Sequence, residues 1–265
     1  MYNPASMRIA VDTGGTFTDC VFVRDARLEI LKVPSTPRNP AEAIGHALEK
    51  ILIGARYIVP QRKNSHTVDL TCGTTVGTNA LLERRGGRVA LVTTAGFEDV
   101  LEIGRQARPR LYDFFVERPA PLVPRERRFG LRERIASDGR PLLRPSRAEL
   151  ARIVRLVEKS AAQSVAVCLL FSFANPAHEQ ALARALRRRG IVFVSVSHEI
   201  LPEFREYERT ATTVVNAYLA PVMARYLDEI AREVSAASPR SAPRPQVRIM
   251  QSSGGIVSAA VASRE

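Results

Sequence analysis

With 265 residues, 45% of them hydrophobic, the chain has the material for one large domain or two ordinary ones. No run approaches the roughly 20 apolar residues that cross a bilayer, and Met1 to Met7 lacks the apolar centre of a secretion signal, so a folded, soluble, cytoplasmic protein without membrane contact is expected. Lys and Arg number 39 against 27 Asp and Glu, a net +12, but they fall in short groups such as Arg125, Arg127 and Arg128 or Arg187, Arg188 and Arg189. Without interleaved aromatics or a recognisable module these groups argue for solvated surface and against a nucleic-acid partner.

In chain order, apolar runs at Arg8 to Val11, Cys20 to Arg24 and Leu28 to Val33 predict a three-stranded antiparallel meander. Pro34, Pro37 and Pro40 interrupt it, and Ala43, Ala47, Leu48, Ile51 and Leu52 then recur at helical spacing, predicting a crossover helix over 41–53. A strand at 67–72, a helix at 76–85 closed by Gly86 and Gly87, and a strand at 88–93 read as a βαβ unit. The segment 104–124, rich in Arg, Pro and aromatics, is too long for an ordinary connection and reads as a functional or interface loop. Helices at 147–162 and 176–189 alternate with strands at 164–169 and 191–196, which sets the class as α/β. A long helix is predicted over 206–234, kinked or divided at Pro221. A linker, 235–245, leads to an isolated strand at 247–251 and a glycine turn. Cys20, Cys72 and Cys168 form no Cys-x-x-Cys or Cys/His cluster and read as reduced, buried thiols.

Two motifs carry chemistry. Asp12-Thr13-Gly14-Gly15-Thr16-Phe17-Thr18-Asp19 lies between two apolar strands. Its glycines let the backbone turn tightly and offer N–H groups to an anion, while Thr13, Thr16 and Thr18 add hydroxyls. Asp12, at a strand end, supplies a hard oxygen suited to magnesium. The motif has no GK[ST] ending and no following helix, so it is not a P-loop. The second run, Gly73-Thr74-Thr75-Val76-Gly77-Thr78-Asn79, leaves a strand and opens a helix, where its hydroxyls either cap the helix or meet an anion. His66 and His178 lack metal-ligand spacing and read as surface or capping residues. Arg105, Arg108 and Arg110 near Tyr112 either grip an anionic substrate or line a solvated loop.

The strand–DxGGT–strand pattern resembles the first phosphate motif of the sugar-kinase and actin superfamily, in which two RNase H-like lobes each supply a phosphate hairpin and ATP lies between them. More specifically, six runs in order resemble the hydantoinase A, N-methylhydantoinase and 5-oxoprolinase family. They are Asp12 to Asp19, Gly73 to Arg84, Gly96-Phe97-Glu98-Asp99 with Ile103-Gly104-Arg105-Gln106, Ser172-Phe173 with Asn175-Pro176 and His178-Glu179, Glu208-Arg209-Thr210 with Asn216-Ala217-Tyr218, and Gln251-Ser252-Ser253-Gly254-Gly255.

The resemblance implies an RNase H-like lobe with an α/β insertion and an incomplete second domain, with an N-terminal family domain over 1–196 and the beginning of a hydantoinase A domain over 197–265. It implies ATP-dependent hydrolysis of a small cyclic amide, with ATP and magnesium as cofactors. A ketone carboxylase subunit and a non-catalytic remnant are the alternatives. Asp12 is expected to hold the metal, Thr13, Gly14, Gly15 and Thr16 to cradle phosphate, Thr18 and Asp19 to make outer phosphate contacts, and Gly73, Thr74 and Thr75 to complete the nucleotide site. No hydrolytic base is assigned. A hydantoinase B-type subunit or domain is the expected partner, in a hetero-oligomer. Where the family usually carries histidine before the Gly-Thr-Thr segment this chain has Cys72, read as a buried strand residue. Family members continue past the Ser-Ser-Gly-Gly turn into a second phosphate motif and an adenosine pocket, so this chain is expected to stop before the ATP site is complete.

Overall fold

The structure, a computed structural model, describes residues 6–24, 27–36, 39–58, 67–106, 112, 115, 119–238, 245–251 and 254–262. The predicted positions Pro37, His66, Arg108, Arg110, Ser252 and Ser253 lie outside the described residues. The meander comprises β1 (Ser6–Thr13), β2 (Phe17–Arg24) and β3 (Arg27–Pro34), followed by α1 (Pro40–Ile58), β4 (Thr67–Thr74), α2 (Val76–Leu82) and β5 (Val89–Thr94). Next come α3 (Val100–Ile103), β6 (Arg128–Leu131), the small hairpin β7 (Arg134–Ile135) and β8 (Pro141–Leu143), α4 (Arg147–Lys159), β9 (Ser164–Cys168), α5 (Ala177–Arg188) and β10 (Phe193–Val196). The chain ends with α6 (Ser197–Ile200), α7 (Glu206–Ala237), β11 (Gln246–Met250), β12 (Ile256–Ser258) and α8 (Ala259–Ala262). No described helix is long and apolar enough to cross a membrane.

Contacts divide the chain into two compact units, one of Met1–Ala80 with Val222–Arg264 and one built on Leu81–Pro221. The first holds a six-stranded sheet in the order β12-β11-β4-β1-β2-β3. The meander is antiparallel, whereas β4 runs parallel to β1 and β11 parallel to β4. Three antiparallel strands continued by parallel ones form an RNase H-like sheet. Its period of two sends Ile9, Val11, Cys20, Phe22, Leu70 and Cys72 to one face. There they meet Ala41, Ile44, Leu48 and Ile51 of α1 and Tyr226, Leu227, Ile230 and Val234 of α7. Pro40 opens α1, where its missing N–H costs nothing, and Asn39 accepts from the Ala41 amide and donates to Glu42.

The second unit has a parallel sheet ordered β10-β9-β5-β6. Ala90, Val92, Val165 and Val167 face α4 and α5, and Val89, Leu91, Ala166 and Cys168 face the first half of α7. Covered on both faces, β5 and β9 are apolar over 89–92 and 165–168 and buried at every position, with Thr93, Thr94 and Ser164 at their ends. Ser146 caps α4 by accepting from the Glu149 amide at 3.1 Å.

Three predicted features are corrected. The segment 67–93 is not a βαβ unit, because β4 and β5 belong to different sheets. The strand at 247–251 is not isolated: β11 pairs with both β4 and β12. Finally, α7 is not divided at Pro221 but runs from Glu206 to Ala237 as one helix, and the carbonyl of Tyr218 in it accepts from the Gly87 amide at 2.8 Å.

Candidate phosphate-binding site

Because β1, β4 and β11 are parallel, their carboxyl ends lie along one edge of the sheet. That edge carries the loop Gly14-Gly15-Thr16, the turn Gly73-Thr74-Thr75 and the hairpin from Gln251 to Gly255. The register places Asp12 opposite Asp19 on one side and beside Gly73 on the other. The Asp12 carboxylate is exposed and lies so near Gly73 that a Cβ there would stand 3.3 Å from its Oδ1. Among the described residues Asp12 makes no ion pair, whereas Asp19 is paired with Lys32 at 3.3 Å. Glycine is needed at position 14 because a Cβ would meet the Phe17 carbonyl at 3.0 Å, and the Gly14 amide already donates to that oxygen. A Cβ on Gly15 would meet nothing within 4 Å, so the tip of the loop faces open space. Among the described residues the Gly15 and Thr16 amides have no acceptor.

The threonines divide. Thr16 is exposed at the loop tip, whereas Thr13 and Thr18 are buried. Thr18 shares a hydrogen bond of 2.9 Å with Ser35, whose hydroxyl donates to the Gly14 carbonyl at 2.8 Å. Thr18 thus braces the loop from beneath. The Tyr226 hydroxyl lies 3.5 Å from that of Thr13, and burial raises its pKa. Thr74 accepts from the Val76 amide at 3.2 Å and so caps α2, and the Thr75 hydroxyl points to the Thr13 carbonyl at 3.5 Å. Ser35 and Tyr226 carry no sequence signal, since each reaches the loop only through tertiary packing.

Cys72 lies on the core face of β4, fully buried, with its pKa raised to about 12 by burial and then by neighbouring Cys20, whose own is pushed up to about 11. Cys168 is buried and shifted upward too. These are structural thiols, since the thiolate is the nucleophile and burial suppresses it. No described cluster of His, Cys, Asp or Glu has the makings of a metal centre by itself.

In the second unit, His178 departs from the surface or capping role expected of it. It is buried, with Nδ1 2.7 Å from Glu133, which also accepts from Thr94, and its Nε2 has no partner among the described residues. Glu179 accepts from the Leu169 amide and from Ser197 and lies 2.6 Å from His198. Arg209 is also buried, donating to the carbonyls of Glu203 and Leu169. Arg105 pairs with Glu208 beside a cleft of about 930 Å³ with Tyr207 and Leu122 in its lining, and Tyr112 is exposed.

The first unit's sheet, with a glycine-threonine loop and an unpaired carboxylate at its carboxyl edge, is a lobe of the actin-like ATPase type. Residues 8–190 match the hydantoinase/oxoprolinase N-terminal region and residues 209–265 the hydantoinase/oxoprolinase region that follows it. The chain therefore belongs to the hydantoinase/oxoprolinase family. The caprolactamase α subunit of Pseudomonas jessenii is 37% identical, the match covering 94% of this chain and 36% of that one. A chain of the crystal structure of ATP-dependent caprolactamase from that organism aligns with a TM-score of 0.81 at 36% identity, again over 94% of this chain and 36% of the other. The acetophenone carboxylase γ subunit of Aromatoleum aromaticum is 36% identical over 80% of this chain and 31% of its own length. The 5-oxoprolinase of Saccharomyces cerevisiae is 30% identical over 95% of this chain and 22% of its own. This chain thus spans about a third or less of the relatives it matches.

Proposed function

We propose that this chain supplies the phosphate-binding lobe of an ATP-dependent enzyme that opens cyclic amides. The observation that supports this most is the edge where an exposed carboxylate without a cation, Asp12, stands beside a loop whose Gly15 and Thr16 amides lack acceptors. The donor set consists of hard oxygens and backbone N–H groups, which suits a magnesium-bound polyphosphate and not a soft metal. Asp12 would hold the magnesium, and Gly15 and Thr16 would face the phosphates, with Thr18 and Ser35 keeping the loop in shape. Gly73 matters by leaving Asp12 room.

Amide resonance makes direct hydrolysis slow, and ATP would supply a phosphoryl group for the carbonyl oxygen, making the carbon a better target for water. The chain's own part is electrostatic: fixed dipoles and one carboxylate-held charge are set before reaction, so little reorganisation is needed as charge moves. A B-type subunit or domain completes the enzyme in this reading, in keeping with two relatives named as subunits. The likeness to acetophenone carboxylase favours a second reading with the same lobe, ATP-dependent carboxylation of a ketone.

The full-length protein, purified with its B-type partner, should release phosphate from ATP in step with ring opening of 5-oxoproline, hydantoin or caprolactam. Ring opening that needs no nucleotide would overturn the proposal, and bicarbonate-dependent consumption of a ketone in place of a lactam would establish the second reading.

A further inference from the structure

Between α4 and α5, on the solvent side of the second unit, runs a groove of about 790 Å³. Its floor is apolar and mostly small: Leu150, Ala151, Val154, Ala181 and Ala185. Its walls carry five arginines, Arg147 and Arg155 on α4, Arg184 and Arg188 on α5, and Arg189 just beyond. Only Arg189 has an ion partner, Glu158 at 2.9 Å, and the other four make no ion pair among the described residues. All five are exposed. Helical spacing produces the arrangement. Arg147, Ala151 and Arg155 recur every four residues along α4, and Arg184 and Arg188, with Ala181 and Ala185, do the same along α5.

We infer that this groove is a docking site for an acidic amphipathic helix of a partner protein. Alanines on the floor allow a third helix to lie close, and its apolar stripe would cover Leu150 and Val154. Carboxylates flanking that stripe would meet four guanidinium groups that make no ion pair among the described residues, each able to bind a carboxylate with two parallel hydrogen bonds. Nucleic acid fits less well, because the groove offers no aromatic residue for a base to stack on and its apolar floor has no use against phosphates. A lipid surface fits less well because the apolar residues are recessed between the helices and do not protrude.

The test is fluorescence anisotropy on the 265-residue chain with a labelled 18-residue helical peptide bearing Leu and Ala on one face and Glu along its flanks. Saturable binding is expected, with at least tenfold weaker affinity for a scrambled peptide of the same composition. Arg184→Glu with Arg188→Glu should weaken binding tenfold or more by reversing charge. Ala151→Trp should do so by filling the groove without altering charge. These positions are exposed, and melting curves would show that both variants fold. Equal binding of the scrambled peptide, unchanged binding by either folded variant, or tighter arginine-dependent binding of a DNA duplex or phosphatidylglycerol vesicles would overturn the inference.

Discussion

Asp12 and Asp19 stand directly opposite each other across β1 and β2, a pairing that repels, and the single lysine at hand, Lys32, lies on Asp19. An arrangement unfavourable to the bare hairpin becomes favourable when a cation sits at Asp12. In the intact enzyme, Asp12→Asn is therefore expected to leave the melting temperature equal or slightly higher while lowering kcat on the order of a hundredfold or more, the scale of preorganised electrostatic groups. Near-normal ATP-dependent turnover by the folded variant would return the loop to an ordinary turn. Thr18→Val should show the opposite signature, with kcat nearly kept and stability lower by about 1 kcal/mol, because it strips Ser35 of a buried partner. The place of Asp12, at a strand end before a glycine turn, was legible from the apolar runs on either side, whereas Thr18's bracing contact depends on Ser35, 17 residues away. A pH effect belongs at His198, whose pKa is raised chiefly by its hydrogen bond to buried Glu179. A raised histidine pKa stabilises the fold fully below the unfolded value, about 6.5, and that contribution fades as pH rises through the folded value. The stability lost in His198→Gln should thus be larger at pH 6 than at pH 9, as denaturant titrations at the two pH values would show; equal losses would mean that the imidazole serves only as a neutral hydrogen-bond partner.

Among the elements, those with a strong period are found close to where the sequence puts them, and the departures have physical causes. Gly86 and Gly87 read as the stop signal of α2, but the helix ends at Leu82, and Arg84 adopts the left-handed conformation. The glycines are there for packing. A Cβ on Gly86 would stand 2.1 Å from the Tyr218 ring, and one on Gly87 2.9 Å from Pro221. No local pattern reveals a close approach to residues more than 130 positions later in the chain. The ring is buried and has little freedom to yield, so Gly86→Ala should cost roughly 1–3 kcal/mol, the range for overpacking; a melting temperature equal to the parent's would show that α7 shifts freely. By contrast, α4 starts at Arg147, where the sequence puts it, and the structure adds that Ser146 caps it by accepting from the Glu149 amide. Glu149 turns its carboxylate to Arg152 and the Arg132 amide, and chiefly the Arg152 contact lowers its pKa to about 2. The β4–α2–β5 reading failed for another reason: strand–helix–strand alternation does not reveal whether the second strand rejoins the first strand's sheet.

At the scale of the whole molecule, the first unit is assembled from both ends of the described chain. β11 lies beside β4, pairing Gln246 with Asp69 and Ile249 with Cys72. The second half of α7 lays Tyr226, Leu227, Ile230 and Val234 on the same core, to which Ile249 also belongs. The phosphate edge inherits this dependence, because Tyr226 reaches Thr13 and β11 carries the hairpin at that edge. At roughly 1.5–3 kcal/mol for each large apolar side chain buried, these five contribute on the order of 10 kcal/mol, comparable with the whole stability of an ordinary domain, about 5–15 kcal/mol. A chain cut to residues 1–221 keeps the four-stranded sheet with both its layers of helix and loses all five. Amide hydrogen exchange on that truncated chain should therefore show protection retained in β5, β9 and β10 and lost in β1, β2 and β4. Thermal melting should show one cooperative transition, that of the second unit. Slow exchange persisting in β1 and β4 after the cut would mean that the meander and α1 are a folding unit by themselves, and the loop at Asp12 could then form without the later segment.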